Sequence, residues 1–260
     1  MSASAIPATP DDLLPWRDRY RLEMRCQIVH DSIHRRPGWT NEYWLRLNEA
    51  DTQTPTVVGY GSVAVGGPWS GTPTAYEFYV ALEYRSRVFD LFQALLDASG
   101  AGVIEVQSND PLASVMLHAF ADDVTTQSIL FHDTLTTTHP SGGATLRHAT
   151  ADEAPDVSDD NRRWHHVLVV DGETAATGGI LFHYNRPYGD IFMEVAEPFR
   201  RRGLGTYLVQ ELKRVCCEGG FVPAARCNPQ NVASRRTLQK AGFVPCGHIL
   251  HGSVRQLRSA

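Results

Sequence analysis

The stretch EVAEPFRRRGLGTYLVQEL, residues 194–212, combines three consecutive arginines, two glycines and the start of an amphipathic helix. A helix N-terminus presents backbone N–H groups without partners and the positive end of the helix dipole, so it favours an anionic ligand. Gly203 and Gly205 have no side chain and let ligand oxygens approach the backbone, while the arginines can add charge-assisted hydrogen bonds. This stretch therefore predicts a diphosphate-binding loop.

Two common phosphate-binding patterns do not match this loop. A nucleoside-triphosphate loop requires Gly-Lys-Ser/Thr shortly after its first glycine, whereas Gly203 is followed by LGTYLV. A dinucleotide-binding fingerprint requires a third glycine where Leu208 stands, and an acidic residue near Ala224 and Ala225. Both classes of nucleotide-binding protein are therefore disfavoured.

The same loop resembles the acetyl-CoA motif of the Gcn5-related N-acetyltransferase (GNAT) family, Arg/Gln-x-x-Gly-x-Gly/Ala, through Arg200, Gly203 and Gly205. A second family motif, a helix that begins at an Asn after the next strand and ends in Lys-x-Gly-Phe, is similar to NVASRRTLQKAGF, residues 231–243. The two motifs occur in the family's order, and the resemblance covers about residues 145–255. It implies an α+β fold whose mixed, mainly antiparallel sheet is splayed and flanked by helices.

The resemblance also implies acetyl-CoA as the co-substrate and a primary amine as the acetyl acceptor. The backbone of Val195 and Ala196 would pair with the pantetheine arm and the thioester, and the arginine–glycine loop would hold the pyrophosphate. The implied cofactor-binding residues are Val195, Ala196, Arg200, Arg201, Arg202, Gly203, Leu204, Gly205, Thr206, Asn231 and Ser234, with Arg235 as a further candidate.

Acetyl transfer to an amine needs a base for the ammonium proton and is assisted by an acid for the departing thiolate. Many members of the family carry a tyrosine as the acid seven residues after the helix-starting Asn, whereas this chain has Leu238. Glu194 is the predicted catalytic base because it lies beside the motif, with Tyr184 and Tyr188 as alternatives. The departure at Leu238 leaves a second function open, a non-catalytic acyl-CoA-binding or sensing module.

The chain is long enough for two domains, each with its own core. The Thr-, Gly- and Pro-rich segment 133–149 predicts a boundary near Gly142, which gives domains at 1–140 and 141–260. Both halves show a similar order of predicted strands and helices, which suggests an internal duplication. In the first half, YVALEYRSRVFDLF, residues 79–92, has arginines but no glycine at the corresponding junction. We therefore predict a tandem protein whose degenerate N-terminal GNAT-like domain binds no cofactor and closes one side of the acceptor pocket.

Composition limits the partners and the location. The net charge of −5 differs from the strongly basic surface of sequence-independent nucleic-acid binders. No segment reaches the roughly 18 consecutive apolar residues of a membrane-spanning helix, and five cysteines without a secretory leader favour the cytoplasm. No His-Glu-x-x-His or Cys-x-x-Cys pattern predicts a metal. The predicted partner is a small-molecule or peptide amine, with no nucleic acid and no membrane, for a monomer or homodimer.

Overall fold

A computed structural model describes residues 2–48 and 54–255 and shows an α+β protein. The chain divides into two compact units, which we call the first unit (residues 1–127 and 248–260) and the second unit (residues 128–247). This division differs from the predicted one at residue 140. The first boundary between the units lies at residue 128, within a strand that begins at residue 121 and precedes the Thr-rich segment. The second lies at residue 248, within the last strand of the chain.

The first unit is a sheet with three helices, and its strands lie in the order β1-β2-β3-β4-β5-β12. Adjacent strands are antiparallel except β4 and β5, which are parallel. Its elements are β1 (Ser2–Ala8), α1 (Leu14–Met24), β2 (Thr40–Asn48), β3 (Thr56–Ala64), β4 (Thr74–Val80), α2 (Val88–Ser99), β5 (Val103–Gln107), α3 (Pro111–Phe120) and the end of β12 (Phe243–Val254), with short 3-10 helices at Asp31–Arg35, Gly67–Trp69 and Leu82–Arg87.

A buried cluster of charged side chains joins strands β2 and β4 of the first unit to the preceding helices. His34 lies between two carboxylates, with Nδ1 2.7 Å from Glu42 Oε1 and Nε2 2.9 Å from Glu77 Oε2. Arg17 Nε lies 3.3 Å from Glu77 Oε1, and the hydroxyl of Tyr60 donates to the same oxygen. Each buried charge in this cluster therefore has an oppositely charged partner, as low-dielectric surroundings require.

The second unit repeats this architecture, with its strands in the order β6-β11-β10-β9-β8-β7. Adjacent strands are antiparallel except β10 and β11. Asp171 and Gly172 form a two-residue turn between adjacent strands, and both have positive φ, 50° and 85°. The elements of this part are β6 (Ala121–Asp133), β7 (Thr145–His148), α4 (Asp159–Arg162), β8 (His165–Val170), β9 (Glu173–Leu181), β10 (Tyr188–Val195), α5 (Leu204–Glu218), β11 (Val222–Cys227) and α6 (Val232–Lys240), with a 3-10 helix at Glu197–Phe199.

The parallel strands β10 and β11 separate partway along their length. They pair only from Tyr188 opposite Val222 to Asp190 opposite Ala224. Beyond this point β10 continues against β9, and β11 continues against β6. The facing backbone edges of the separated segments therefore have no strand partner, and the predicted splayed sheet is confirmed.

Helix α5 covers one face of this sheet. Leu204, Leu208, Leu212 and Cys216 recur every four residues and are buried in one core cluster with residues of β9 and β10. This packing fixes the first turn of α5 beside the separated end of β10. With 15 residues α5 is the longest described helix, and no helix in the described ranges has the length and hydropathy of a membrane span.

Candidate functional site

The loop between β10 and α5 leaves a run of backbone amides open. Arg201 and Gly203 have positive φ, 62° and 83°, and Gly203 is the N-cap of α5. The N–H groups of Thr206 and Tyr207 donate to the Gly203 carbonyl, at 3.0 and 3.1 Å. The N–H groups of residues 201–205 donate to no described residue, so an anion can accept hydrogen bonds from them.

The three arginines of the loop take different positions. Arg200 donates from Nε to the carbonyl of Val195 at 3.1 Å and so ties the loop to the end of β10. Arg201 and Arg202 are exposed, and the guanidinium of Arg202 lies 5.2 Å from the ring centroid of Phe199. Two solvent-facing positive charges therefore stand beside the open amides.

Gly203 has a close neighbour that the sequence analysis missed. A Cβ added to Gly203 would lie 2.2 Å from Cε1 of His139, so the imidazole ring lies directly over the glycine. His139 belongs to the segment predicted as a linker. This segment is held against α5, because Lys213 donates from Nζ to the carbonyl of Leu135 at 2.9 Å. The structure thus brings a histidine from a distant part of the sequence to the loop.

The remaining residues of the first turn can contact a ligand only through the backbone. Leu204 and Thr206 are each 4% exposed, and their side chains face the core. A Cβ on Gly205 would lie 3.2 Å from Cγ2 of Val195 and 3.5 Å from Cγ2 of Thr237. Gly205 therefore also permits close packing of α5 against β10 and α6.

The backbone of β10 alternates between its two neighbours. The N–H of Ala196 donates to the carbonyl of Ala175 at 2.9 Å and so faces the β9 side. Alternation directs the N–H and C=O groups of Met193 and Val195 toward the opening between β10 and β11. Of the residues predicted to pair with the pantetheine arm and thioester, Val195 faces the opening, whereas the N–H of Ala196 already has a backbone partner.

Helix α6 begins at Asn231, whose Oδ1 accepts the Ser234 N–H at 3.0 Å. Asn228, three residues earlier, accepts the N–H of Gln230 at its Oδ1. Asn231 is exposed, and its Nδ2 donates to no described residue, so the amide can still donate to a ligand. Leu238 is 3% exposed and belongs to the core cluster under α5.

Glu194 lies on the face of β10 opposite α5. Met193 and Val195 pack against the core under α5, so alternation places Phe192 and Glu194 on the other face, where Glu194 is exposed. We call this the open face. A cavity of about 250 Å³ lies on it, lined by Phe192, His165 and Thr177 together with the segment 149–157. Partial burial lowers the pKa of His165, so its ring is neutral near pH 7.

A polar cluster lies where β10 and β11 separate, and the sequence analysis missed it as a cluster. Asp190 is 4% exposed, and its Oδ2 lies 2.9 Å from Nε2 of His183 and 3.5 Å from Nε of Arg226. Tyr184 is buried beside Asp190. Burial, and then the Asp190 charge, raise the pKa of Tyr184 well above its usual value. We call these four residues the Asp190 cluster.

The β4–α2 junction of the first unit repeats the backbone contacts of the β10–α5 junction. Ala81 donates its N–H to the adjacent strand at 2.9 Å, as Ala196 does. Arg85 donates from Nε to the carbonyl of Val80, five residues earlier, at 3.0 Å. The equivalent bond of Arg200 also spans five residues.

The glycine positions of the two junctions differ. Val88 takes the place of Gly203 and has φ −60° rather than 83°. Asp90 takes the place of Gly205, and its carboxylate lies 2.7 Å from the guanidinium of Arg87. A β-branched side chain and a carboxylate therefore stand where the second unit leaves its backbone open.

Strands β4 and β5 of the first unit also separate, since they pair only over residues 74–75 and 103–104. Here the segment that contains Gln27 and Val29 packs beside the separated strands. Gln107 donates from Nε2 to the Gln27 carbonyl at 2.8 Å and accepts the N–H of Val29 at 2.5 Å. The cavity that remains is about 10 Å³, room for roughly one water molecule.

Comparison with known proteins identifies the second unit. Residues 130–243 match the model of the Acetyltransferase (GNAT) family, and this part of the chain is a GNAT domain. A comparison with curated proteins gave no match. Within the described residues, no group of three or more His, Cys, Asp or Glu side chains is arranged to hold a metal ion.

Solved structures match nearly the whole chain. The GNAT-family acetyltransferase from Colwellia psychrerythraea is 13% identical with a TM-score of 0.71, and the match covers 98% of this chain and 100% of that one. A Gcn5-related N-acetyltransferase from Sphaerobacter thermophilus is 14% identical with a TM-score of 0.61, covering 98% and 96%. A tandem GNAT protein from the clavulanic acid biosynthesis pathway is 14% identical with a TM-score of 0.57, covering 99% and 100%. At such identities the similarity shows a shared fold.

Proposed function

We propose that this protein is an acetyl-CoA-dependent N-acetyltransferase that acetylates a primary amine. The observation that carries the proposal is the loop at residues 200–206, where open amides and exposed arginines meet at the start of α5. Such a loop favours a diphosphate, and coenzyme A combines a diphosphate with an extended amide-bearing arm. The opening between β10 and β11 offers unpaired backbone groups to an arm of that kind.

In this proposal each part of the site has a separate task. The N–H groups of residues 201–205 bind the pyrophosphate, and Arg201 and Arg202 compensate its charge. The backbone groups of Met193 and Val195 that face the opening pair with the arm. The amide of Asn231 adds a contact from α6, with Ser234 beside it.

The acceptor amine would approach from the open face. The cavity of about 250 Å³ there borders Phe192 of β10 and is therefore next to the separated strands. Its size suits a small amine or the end of a peptide, and the predicted base Glu194 lies on the same face. A cytoplasmic location and a monomeric or homodimeric state remain predictions.

We also propose that residues 1–140 are a degenerate GNAT-like copy that takes no cofactor. The repeated backbone bonds at Ala81 and Arg85 support a common origin of the two junctions. Val88 and the paired Asp90 support the loss of diphosphate binding, because they place side chains where the second unit has glycines.

Burial of Leu238 in the core favours a second candidate, a non-catalytic acyl-CoA-binding or sensing module, because this position cannot donate a proton to a leaving thiolate. Calorimetry with acetyl-CoA and a thiol-release assay with a panel of primary amines separate the two functions. Binding together with thiol release on one amine supports the enzyme. Binding without release on any amine supports the sensing module, and no binding contradicts both.

Neutralising the exposed arginines should weaken cofactor binding. The double variant Arg201→Gln and Arg202→Gln is expected to raise the Kd of acetyl-CoA by about tenfold at low salt, because hydrogen bonds to charged groups contribute about 1.5–3 kcal/mol before screening. Calorimetry at two salt concentrations should also show a weaker salt dependence. The matched control replaces Arg163 and Arg214, two exposed arginines outside the loop, and should leave Kd unchanged. Equal affinities for both double variants would contradict the placement of the pyrophosphate.

A further inference from the structure

We propose that His183, oriented by Asp190, accepts the proton of the attacking amine, and that Tyr184 donates a proton to the departing sulfur. This inference rests on the proposed function and assigns its proton transfers to residues outside both sequence motifs. It replaces Glu194 as the base and supplies the acid that is missing at Leu238.

The position of Asp190 along β10 is the first argument. Asp190 is the last residue of β10 that pairs with β11, so it lies at the closed end of the opening. Val195 lies five residues further on, roughly 16 Å away along an extended strand. An arm that enters beside the first turn of α5 and follows the opening therefore brings its far end, the thioester, toward Asp190. Glu194 stands instead near the point of entry.

The contacts of Asp190 are the second argument. This carboxylate is buried, and its described partners are an imidazole, a guanidinium and a phenol: His183, Arg226 and Tyr184. A buried carboxylate beside an imidazole orients the ring and stabilises the imidazolium that forms when the ring takes a proton. The 2.9 Å separation between Asp190 Oδ2 and His183 Nε2 is an ion-pair distance, although the ring is not aligned for a hydrogen bond.

His183 is also accessible to a substrate. Its side chain is 20% exposed, whereas that of Asp190 is 6% exposed, so the acceptor can reach the ring but not the carboxylate. In the tautomer that carries its proton on Nε2, which faces Asp190, the lone pair is on Nδ1, and Nδ1 forms no hydrogen bond with a described residue. Asp190 is therefore a positioning residue, and His183 is the group that meets the amine.

The hydroxyl of Tyr184 is the third argument. It is buried and interacts with the Asp190 carboxylate, but it forms no well-aligned hydrogen bond with a described residue. Burial and the Asp190 charge raise its pKa, so the hydroxyl carries its proton at neutral pH. The rings of His183 and Tyr184 are adjacent, with centroids 4.5 Å apart.

The proton transfers balance over one turnover. The amine nitrogen forms a bond to the thioester carbonyl carbon, and the carbon–sulfur bond breaks. The proton lost by the nitrogen passes to Nδ1 of His183, and the leaving sulfur takes the hydroxyl proton of Tyr184. The imidazolium returns its proton to the phenolate through water. The products are the amide and the free thiol, and the cluster regains its initial state.

Two conservative variants test this assignment. His183→Gln and Tyr184→Phe should each lower kcat at least about 100-fold, the lower end of the range that general acid–base groups contribute. Both should leave the calorimetric Kd of acetyl-CoA within about twofold, since neither residue lies in the loop, and this value also reports correct folding. The matched control is His132→Gln, which removes a histidine of the neighbouring strand β6, opposite Ala224, and should leave kcat unchanged.

Asp190→Asn tests the positioning role. Loss of the carboxylate should lower kcat while the calorimetric Kd of acetyl-CoA stays within about twofold, because the ring of His183 loses the group that orients it. The other titratable or charged groups around His183 are Tyr184 on its own loop and Arg226 on β11, with Cys246 of β12 near Tyr184. Free imidazole should restore part of the turnover of His183→Ala.

The outcomes separate this inference from the proposed function. A His183→Gln variant with the kcat and pH profile of the wild type would overturn the inference while acetyl transfer stands. A wild-type protein that binds no acetyl-CoA, or binds it without acetylating any amine, would overturn both.

Discussion

Replacing Gly203 with alanine is expected to raise the Kd of acetyl-CoA at least about tenfold. Gly203 has φ 83°, and a residue with a Cβ pays roughly 1–2 kcal/mol for this conformation. The new Cβ would also lie 2.2 Å from Cε1 of His139. Both effects distort the loop. Because about 1.4 kcal/mol corresponds to a tenfold change in affinity, a cost of this size predicts the tenfold rise in Kd.

Two control variants show which cause dominates. Gly220 follows α5 at its other end, has φ 79° and has no neighbour within 4 Å of an added Cβ. Gly220→Ala should therefore lower stability through the backbone alone and leave Kd unchanged. The double variant Gly203→Ala with His139→Ala removes the collision but keeps the backbone strain. Recovery of affinity in the double variant would assign the effect to His139, and an unchanged Kd in Gly203→Ala itself would contradict a diphosphate site at this loop.

Short sequence motifs predicted those helices that are specified by residues close together in the sequence. The amphipathic pattern that starts within residues 194–212 predicted α5, and the run from Asn231 to Phe243 predicted α6. Strands β1, β2, β7 and β12 were not predicted. The segment SASAIPA of β1 has little strand propensity of its own, and β7 has only four residues, so both depend on pairing with a neighbouring strand.

The candidate site likewise contains residues that a local sequence motif predicts and residues that only the fold brings together. The loop from Arg200 to Thr206 is continuous in sequence, so its motif could be found there. The Asp190 cluster is assembled by strand pairing, because Arg226 comes to Asp190 from β11, 36 residues later. His139 likewise reaches Gly203 from a segment whose Thr- and Gly-rich composition predicted a linker. No spacing rule in a single sequence predicts such contacts.

Replacing Glu77 with glutamine is expected to lower the free energy of unfolding of the first unit by about 3–5 kcal/mol. Loss of one carboxylate leaves the buried cluster with an excess positive charge in a low dielectric. Here the remaining cations would be Arg17 and His34, each 3.3 Å or less from a Glu77 oxygen. The control Glu83→Gln removes an exposed carboxylate and should change stability by less than about 0.5 kcal/mol.

Urea unfolding followed by tryptophan fluorescence measures this loss, because four of the five tryptophans, Trp16, Trp39, Trp44 and Trp69, belong to the first unit. A Glu77→Gln variant as stable as Glu83→Gln would contradict the ionic character of the cluster.

The pH dependence of the same unfolding shows how the ionised forms of Glu77 and His34 contribute to stability. Burial alone would raise the pKa of Glu77, but Arg17 and His34 lower this pKa well below its usual value. The stability that ionised Glu77 contributes is therefore lost only as the pH falls through the lowered pKa. Burial alone would lower the pKa of His34, but Glu77 and Glu42 raise it. The contribution of His34 is therefore complete below about pH 6.5, the unfolded pKa, and is lost as the pH rises through the folded value. Removal of Glu77 takes away the largest cause that raises this pKa, while Glu42 remains, so the decline should be smaller in Glu77→Gln than in the wild type and Glu83→Gln.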